Sequence, residues 1–412
     1  MSQTSQDRPA LRRTALGVLA CCFLLNMFGR GMGDTYIVFL LPIEREFGWS
    51  RSELTGVYAT YLLVGGLIAP LVGTLFDRLG PRWVYVSGLS FLGSACLLAS
   101  HLSALWQFYL YVGVVVGFGV ALTGMVPASG LLTRWYRDRL STAIGIAFSA
   151  VGMGALIFVP LAQHLVSIMD WRGTYQHLGF GLLSVALIIA LLVPWKRFAL
   201  GHPAYRGESR TQTEGHGWTL RGAMKTRIYW ALAQVFALTS VAMYTVTVQT
   251  VVYFIDSGFT PITAASAFGI IGMLSVCSVA MSGFLSERFG FRQTVTASFI
   301  GSATGIFVLF AISYQPWFAL LVLYVIVFGF CQGMRGPIVS SIVTRHFSGP
   351  RVATIFGTIY AYNALGAAFG SLMGGVLHDY TGGYRTGFIF ALCMMGLAVM
   401  PFWTVPALRN FR

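Results

Sequence analysis

Long apolar stretches separated by short polar connections make up most of this chain. Each stretch is long enough to cross a hydrocarbon core of about 30 Å at a rise of about 1.5 Å per helical residue. The stretches number twelve and lie at 15–41, 54–75, 82–100, 105–133, 141–168, 174–194, 228–255, 262–284, 294–314, 317–343, 352–377 and 384–406. The pattern therefore predicts an all-α membrane protein with twelve transmembrane helices, here called spans one to twelve, and with both termini on one side of the membrane.

One polar interval is much longer than the others and divides the spans six and six. It runs from Lys196 to Arg227 and is rich in charged residues. Domain boundaries commonly fall in polar connections of this kind. We therefore predict an N-terminal six-helix bundle at 1–194, a linker loop at 195–227 and a C-terminal six-helix bundle at 228–412.

The composition indicates a membrane protein without cofactor chemistry. Of the 412 residues, 56% are hydrophobic and 10% are charged, whereas about a quarter of the residues in soluble domains are charged. The six cysteines lie in apolar spans without C-x-x-C spacing, so neither a disulfide framework nor a metal site is predicted. The sequence also lacks a nucleotide-binding loop of the G-x-x-x-x-G-K-[ST] type, and no cofactor is expected.

The distribution of basic residues predicts the orientation of the chain. Of the 27 lysines and arginines, two lie within spans, four lie on one side of the membrane and the remaining 21 lie on the side of the termini. Lysine and arginine collect on the cytoplasmic side of membrane proteins. We therefore expect an inner (cell) membrane protein with cytoplasmic termini and a cytoplasmic linker. This topology accounts for the net charge of +14, so nucleic-acid binding is not expected.

Three charged residues lie deep within the predicted spans. They are Arg30 and Asp34 in span one and Arg335 in span ten. A charge at such a depth costs about 2.5 to 3.5 kcal/mol on insertion scales, so it marks a substrate or ion path unless it pairs internally. Arg30 and Asp34 are four residues apart and can share one helix face. Two interpretations of the pair stay open: a structural ion pair, or a site that faces a polar cavity.

A ten-residue motif occurs at equivalent places in the two halves of the sequence. Span two is followed by GTLFDRLGPR at 73–82, and span eight is followed by GFLSERFGFR at 283–292. A small residue, an acid, an arginine, a glycine and a second arginine recur at matching offsets. Parallel halves of this kind build a midplane site between two rocking bundles.

The motif and its second copy resemble the loop motif of the major facilitator superfamily, and the resemblance covers the whole chain. The stretches FLLPIEREFGWSR at 39–51 and WYRDRLSTAIGIA at 135–147 further resemble the monocarboxylate and oxalate/formate carrier branch. This resemblance implies two pseudo-symmetric six-helix bundles in which spans one, four, seven and ten line a central cavity. Carriers of that branch typically hold an arginine in span eight, but 262–284 contains no charge, so the usual carboxylate anchor is missing here.

The same resemblance gives the loop motif a role in gating. It implies that charged contacts between helix ends hold one conformation closed. The gating residues implied in this way are Gly73, Asp77, Arg78, Gly283, Glu287 and Arg288.

Within the cavity that the resemblance implies, each half contributes one arginine, Arg30 or Arg335. A guanidinium binds a carboxylate or phosphate bidentately and never loses its charge. Two arginines and one aspartate leave a positive charge unpaired, and in a low-dielectric cavity that charge needs an anion. We therefore predict an anion clamp. In the alternative interpretation, Asp34 or helix-end carbonyls neutralise Arg335 in a fixed bridge.

The other candidate groups are one acid and a set of neutral polar residues. Asp34 either takes up a proton or stays ionised and orients Arg30, because burial raises the pKa of a carboxyl group whereas a nearby arginine lowers it. Each neutral residue taken alone is more often an interhelical contact than a substrate ligand. The neutral candidates are Tyr244, Thr247, Gln249, Gln332, Tyr360 and Asn363.

Together these features predict a monomeric secondary active transporter, and not an enzyme. The expected substrate is a small organic anion, a carboxylate, that is taken up with protons by alternating access. The expected partners are this anion, the proton and membrane lipid. Two other functions stay open: a proton-driven exporter of drugs or other amphipathic compounds with Asp34 as its cation site, and a non-transporting membrane receptor or scaffold.

Overall fold

The computed structural model describes residues 3–136, 140–203, 218–347 and 352–409. Within these ranges the chain folds into helices joined by short connections, and these ranges contain no β-strand. The middle of the predicted linker lies outside the described residues.

The helices follow the predicted spans closely. Spans one to six are formed by Gln3–Asp34, Tyr36–Phe47, Arg51–Ala99, Leu105–Phe108, Tyr109–Val115, Val116–Thr123, Met125–Leu132 and Leu140–Leu192. Spans seven to twelve are formed by Arg227–Thr247, Thr250–Asp256, Pro261–Phe289, Phe291–Ile312, Phe318–Gln332, Arg335–His346, Val352–Thr381, Arg385–Val399 and Pro401–Thr404. Short helices at Trp195–Leu200, Leu220–Met224 and Pro406–Arg409 lie outside the spans.

The prediction of twelve membrane crossings is confirmed. Ten helical stretches are long and apolar enough to cross a membrane. One of them, Thr142–Leu192, supplies two crossings because its helix is interrupted at Asp170, where φ is 74°. The one crossing that is not among these ten stretches is span eleven, Val352–Thr381, a helix of 30 residues that is rich in glycine.

Spans one, four, seven and ten, which the superfamily fold places around the central cavity, are all interrupted. Their helices break at Thr35, at Gly124, at 248–249 and at 333–334 respectively. Span four also contains a π-helical segment, Tyr109–Val115. Breaks of this kind free backbone groups at membrane depth, and such groups are tolerated where they face protein or a water-filled cavity.

Glycines bring the two halves of the molecule into close contact along two pairs of spans. Span two packs on span eleven, and a Cβ atom built on Gly66 would lie 2.6 Å from the Cβ atom of Ala364. Span five packs on span eight, and a Cβ atom built on Gly152 would lie 2.6 Å from Val276. Small residues at these positions let the helices approach until their backbones nearly touch.

The end of the bundle that lies away from the termini is closed. We call it the distal end; it contains residues 42–52, 256–261 and 379–385. In the distal part of span one every residue from 31 to 40 is buried, whereas the part at 11–30 includes many exposed positions. Polar contacts between the halves lie at the level of Arg30 or nearer the distal end, within the part of the chain that the structure describes. The pairs are Arg30–Tyr244, Thr55–Ser371, Arg51–Gln249, Arg51–Asp256, Arg51–Tyr384, Arg51–Asp379 and Ser52–Asp379.

Candidate functional site

Arg30 and Asp34 form an ion pair in the middle of span one. The Nε atom of Arg30 lies 3.3 Å from Oδ1 of Asp34. The Asp34 side chain is 8% exposed, while the Arg30 side chain is 27% exposed. The sequence left open a structural pair or a cavity-facing site. The pair is present, and its arginine is also accessible.

Tyrosines from both halves surround this pair. An Nη2–H of Arg30 donates to the hydroxyl of Tyr244 in span seven at 3.2 Å. The hydroxyl of Tyr58 in span two donates to Oδ1 of Asp34 at 3.4 Å. Tyr61 lies one turn further along span two, with its ring centroid 5.1 Å from that of Tyr58. The ion pair therefore lies at a point of contact between the two halves.

Tyr58 and Tyr61 were missed by sequence reasoning, which considered charged residues of the spans first. The signal that could have found them is their spacing. Two tyrosines three residues apart in an apolar helix lie on one face, and a buried tyrosine needs a polar partner for its hydroxyl. Gly33 lets Tyr61 of span two lie against span one, because a Cβ atom at position 33 would overlap the Tyr61 hydroxyl.

Two tyrosine hydroxyls at this site donate to no acceptor among the described residues. The buried hydroxyl of Tyr61 has no partner. The hydroxyl of Tyr244 accepts from Arg30, so its own proton remains available. Buried donors are rarely left unsatisfied. The arrangement is therefore suited to a ligand that supplies acceptor oxygens.

Arg335 lies in different surroundings. Its side chain is buried against span nine, where Nε donates to Oγ of Ser298 at 3.0 Å and Nη2 donates to Oγ of Ser302. The guanidinium also lies over the ring of Phe299 at 4.5 Å. Among the described residues no acid pairs with it. Arg30 and Arg335 thus have separate sets of neighbours, and the clamp that would use both stays a prediction.

We expect Arg335→Lys to reduce stability. One ammonium group cannot reproduce the planar fork that reaches Ser298 and Ser302, and loss of a hydrogen bond to a charged group costs about 1.5 to 3 kcal/mol. Thermal unfolding in detergent should show the loss, with Arg345→Lys at the exposed end of the same helix as the control. An unchanged unfolding midpoint together with a tenfold weaker carboxylate affinity would instead place Arg335 in the substrate site.

The neutral candidates separate into two groups. Tyr244 contacts Arg30, and Tyr360 lies close enough to interact electrostatically with both. Gln249 belongs to the distal end, where its Oε1 atom accepts from Arg51 at 3.2 Å. Three further candidates have partly exposed side chains and belong to neither group: Thr247, Gln332 and Asn363.

Arg51 is the centre of the contacts that close the distal end. It forms an ion pair with Glu44 of its own half. Across the interface its Nη2 atom lies 3.7 Å from Asp256, and Nη1 donates to Gln249 at 3.2 Å and to the hydroxyl of Tyr384 at 3.3 Å. The arginine is only 5% exposed. Sequence reasoning assigned it to a loop, because its charge lies at the end of a span.

Asp379 and Tyr384 strengthen this closure. The carboxylate of Asp379 accepts from the backbone N–H groups of Arg51 at 3.1 Å and Ser52 at 2.7 Å, which are free in the first turn of a helix. The hydroxyl of Tyr384 donates to Asp256. The distal contacts thus join both halves by side chains and backbone.

The predicted gating motif lies at the opposite end. Asp77 lies 3.8 Å from Arg134 at the end of span four, and the side chains of Asp77 and Arg78 are exposed. In the second copy, Arg288 lies over the ring of Phe289 at 5.6 Å, and the side chain of Glu287 lies outside the described residues. Gly73 precedes the interruption of its helix at Gly80, where φ is 80°, and Gly283 lies near the end of the helix Pro261–Phe289. The gating role of these residues stays a prediction.

Two six-helix bundles that meet around a charged site are the architecture of a membrane carrier whose substrate site lies between two repeated halves. The family model of the Major Facilitator Superfamily matches residues 19–286 and 274–410. The chain belongs to this superfamily, which confirms the resemblance found in the loop motif. It is an integral membrane protein and a secondary transporter, not an enzyme.

Similar proteins include members of the monocarboxylate branch. Monocarboxylate transporter 13 of Rattus norvegicus is 24% identical over 378 residues, with 91% of this chain and 85% of that protein covered. Monocarboxylate transporter 4 of Mus musculus is 26% identical over 400 residues, with 96% and 83% covered. A bacterial homologue of the human lysosomal transporter Spinster, solved in an inward-facing and unoccupied conformation, shares the fold with a TM-score of 0.73, 16% identity and coverage of 96% and 97%.

Proposed function

We propose that this transporter carries a small organic anion, a carboxylate, together with a proton, and that it does so by alternating access. The observation that carries the proposal is the partly exposed side chain of Arg30, paired with a single acid at the contact between the two halves. The similar proteins named monocarboxylate transporters support a carboxylate as the substrate. Arg30 is the proposed anion ligand, with Tyr244 as a second donor and Asp34 as the proposed proton acceptor.

Charge balance explains how the proton and the anion are coupled. While Asp34 is ionised, it neutralises Arg30 at 3.3 Å, and an incoming carboxylate would add an unpaired negative charge. Protonation of Asp34 leaves Arg30 as an uncompensated cation in a site of low dielectric constant, where the anion becomes the required counter-ion. Each charge change therefore favours the other, and proton and anion bind together.

Alternating access is supported by the uneven distribution of contacts along the interface. The halves are joined at and beyond the level of Arg30, and Arg51 holds five partners there. Binding from the distal side requires that these contacts break and that the halves close at the other end. Rocking of two bundles about a midplane site is the movement that parallel halves permit.

Transport by the purified protein tests the proposal. In proteoliposomes with an inward proton gradient, we expect accumulation of a labelled carboxylate and no gradient-driven movement of a cationic dye. Dye export without carboxylate uptake would favour the amphipathic-compound exporter. Failure of either compound to move, in vesicles shown to contain folded protein, would contradict the function as a carrier of these substrates.

Arg51→Gln is expected to open the distal end. Removing one partner of a buried charge pair costs about 3 to 5 kcal/mol, enough to convert a minor conformation into the major one. Spin labels at Ser103 and Gln315, exposed positions on the distal loops of opposite halves, should then report a longer distance. The exposed cysteines Cys277 and Cys393 are first replaced by serine.

Arg172→Gln is the matched control for this measurement. Arg172 is also a distal arginine paired with an acid, but its partners Glu46 and Leu102 lie in its own half. Its replacement should leave the distance distribution unchanged. A longer distance in both variants, or in neither, would contradict the role of Arg51 as the contact that closes the distal end.

A further inference from the structure

An aromatic surface lies beside the ion pair on the side away from the distal end. Tyr360 of span eleven interacts electrostatically with Arg30 and Tyr244, which places it in the interior between the halves. Its ring lies 5.9 Å from that of Phe236 in span seven and 6.0 Å from that of Phe356, one turn earlier in span eleven. These three rings form one aromatic cluster, and Tyr360 is its member within electrostatic range of Arg30.

Tyr360 is exposed to open space in that interior. Its side chain is 51% exposed, although it lies midway along the helix Val352–Thr381 and faces the ion pair. Phe236 is buried behind it and holds the ring in place. An exposed aromatic face inside a cavity is a stacking surface, because offset or edge-to-face contact with a second ring is favourable beyond the apolar area that it buries.

The charges at the site fit a substrate with a single carboxylate. Around Arg30 the described neighbours are Asp34 and the hydroxyls of Tyr58, Tyr61 and Tyr244. One cation is available there, and the surface beyond it is aromatic. A second carboxylate on the substrate would therefore lie among neutral rings without a counter-ion, which is costly at low dielectric constant.

We infer that the substrate of this site is an aromatic monocarboxylate, whose carboxylate binds Arg30 and Tyr244 while its ring stacks on Tyr360. This inference rests on the proposed function and narrows its substrate class. The guanidinium of Arg30 and the unpartnered hydroxyl of Tyr61 lie at one end of the site and the exposed ring lies at the other. A ligand that is charged at one end and planar and apolar at the other matches both.

Binding of three monocarboxylates to the purified full-length protein tests the inference. The probes are phenylacetate, cyclohexylacetate and lactate, which share one charge and differ in the body of the molecule. We expect phenylacetate to bind about two- to tenfold more tightly than cyclohexylacetate, the factor that an aromatic contact adds beyond burial. Lactate should bind more weakly than both. Dissociation constants come from calorimetry or from ligand-induced thermal shifts.

Substitutions at Tyr360 isolate the contribution of its aromatic ring to substrate preference. Tyr360→Phe keeps the ring and should keep the preference for phenylacetate, while Tyr360→Leu should abolish this preference. Phe369→Leu is the control, because Phe369 is 52% exposed on the same helix but lies nine residues further on and so on the opposite face.

The outcomes distinguish this inference from the proposed function. Binding of all three probes with equal affinity, or an equal loss of preference in Phe369→Leu, would overturn the aromatic substrate class and leave a general carboxylate carrier. Failure of all three probes to bind protein that unfolds with a normal midpoint would overturn both. Tighter binding of phenylacetate that depends on the ring at position 360 supports both.

Discussion

Replacing Arg30 with glutamine should abolish carboxylate binding and uptake. The guanidinium is the accessible cation of the site and is held by Asp34 and Tyr244. Loss of one partner from a buried, hydrogen-bonded charge pair costs about 3 kcal/mol, or more than a hundredfold in affinity. The measurement is the dissociation constant of a labelled carboxylate, followed by initial uptake rates in proteoliposomes.

The control for this variant must allow for the acid that Arg30→Gln leaves unpaired. The double variant Arg30→Gln with Asp34→Asn removes both charges and should fold as well as the wild type, because an uncharged pair has no buried ion to desolvate. It should still fail to bind the carboxylate. Recovery of binding in the double variant would show that Asp34 was repelling the anion and that Arg30 is not its ligand.

Asp34→Asn should uncouple transport from the proton gradient. An electroneutral carrier of one proton with one anion accumulates its substrate about tenfold for each unit of pH difference, since one pH unit is worth about 1.36 kcal/mol. The asparagine cannot exchange a proton, so accumulation should fall to the level seen without a gradient. Exchange of labelled for unlabelled substrate should continue, because Arg30 remains free to bind the anion.

Asp170→Asn is a suitable control for the loss of a carboxylate. Asp170 lies at the interruption between spans five and six, where its Oδ1 atom accepts from the N–H of Gly173 at 2.7 Å, and asparagine tolerates the positive φ found there. Accumulation in this variant should match the wild type. Gradient-driven accumulation that survives in Asp34→Asn would remove Asp34 from the coupling scheme.

Most of the fold could be predicted from the sequence because the bilayer imposes it. A membrane helix must be predominantly apolar along its length, so each of the twelve crossings is visible as a long apolar stretch. Span eleven, the helix Val352–Thr381, was found in the same way from its length between polar connections. The position of each span along the chain is local information.

The direction in which a side chain faces depends on contacts with other spans, so the sequence predicted it less well than the position of each span. One residue turns an α-helix by about 100°, and the break at 333–334 changes the rotation of the helix that follows it. Counting along span ten gave the depth of Arg335 but not its packing against Ser298 and Ser302. The pair of Arg30 and Asp34 was predictable because both residues lie in one unbroken helix.

Arg51 shows a second reason for the limit. A charge at the first residue of a span is indistinguishable in sequence from an ordinary residue at the membrane surface. Its burial arises because the other half supplies Asp256, Gln249 and Tyr384 from positions about 200 residues or more away. Contacts of this range depend on how the two bundles meet in one conformation.

The compensation of Arg30 by Asp34 has a consequence for energetics across the bilayer. In the empty state the pair carries no net charge, and in the loaded state that we propose a protonated acid, a guanidinium and one carboxylate again sum to zero. The membrane voltage, worth about 2.3 kcal/mol per elementary charge at 100 mV, then performs no work on either the outward or the return movement. Such a carrier draws on concentration gradients alone, and its turnover is the same in polarised and depolarised cells.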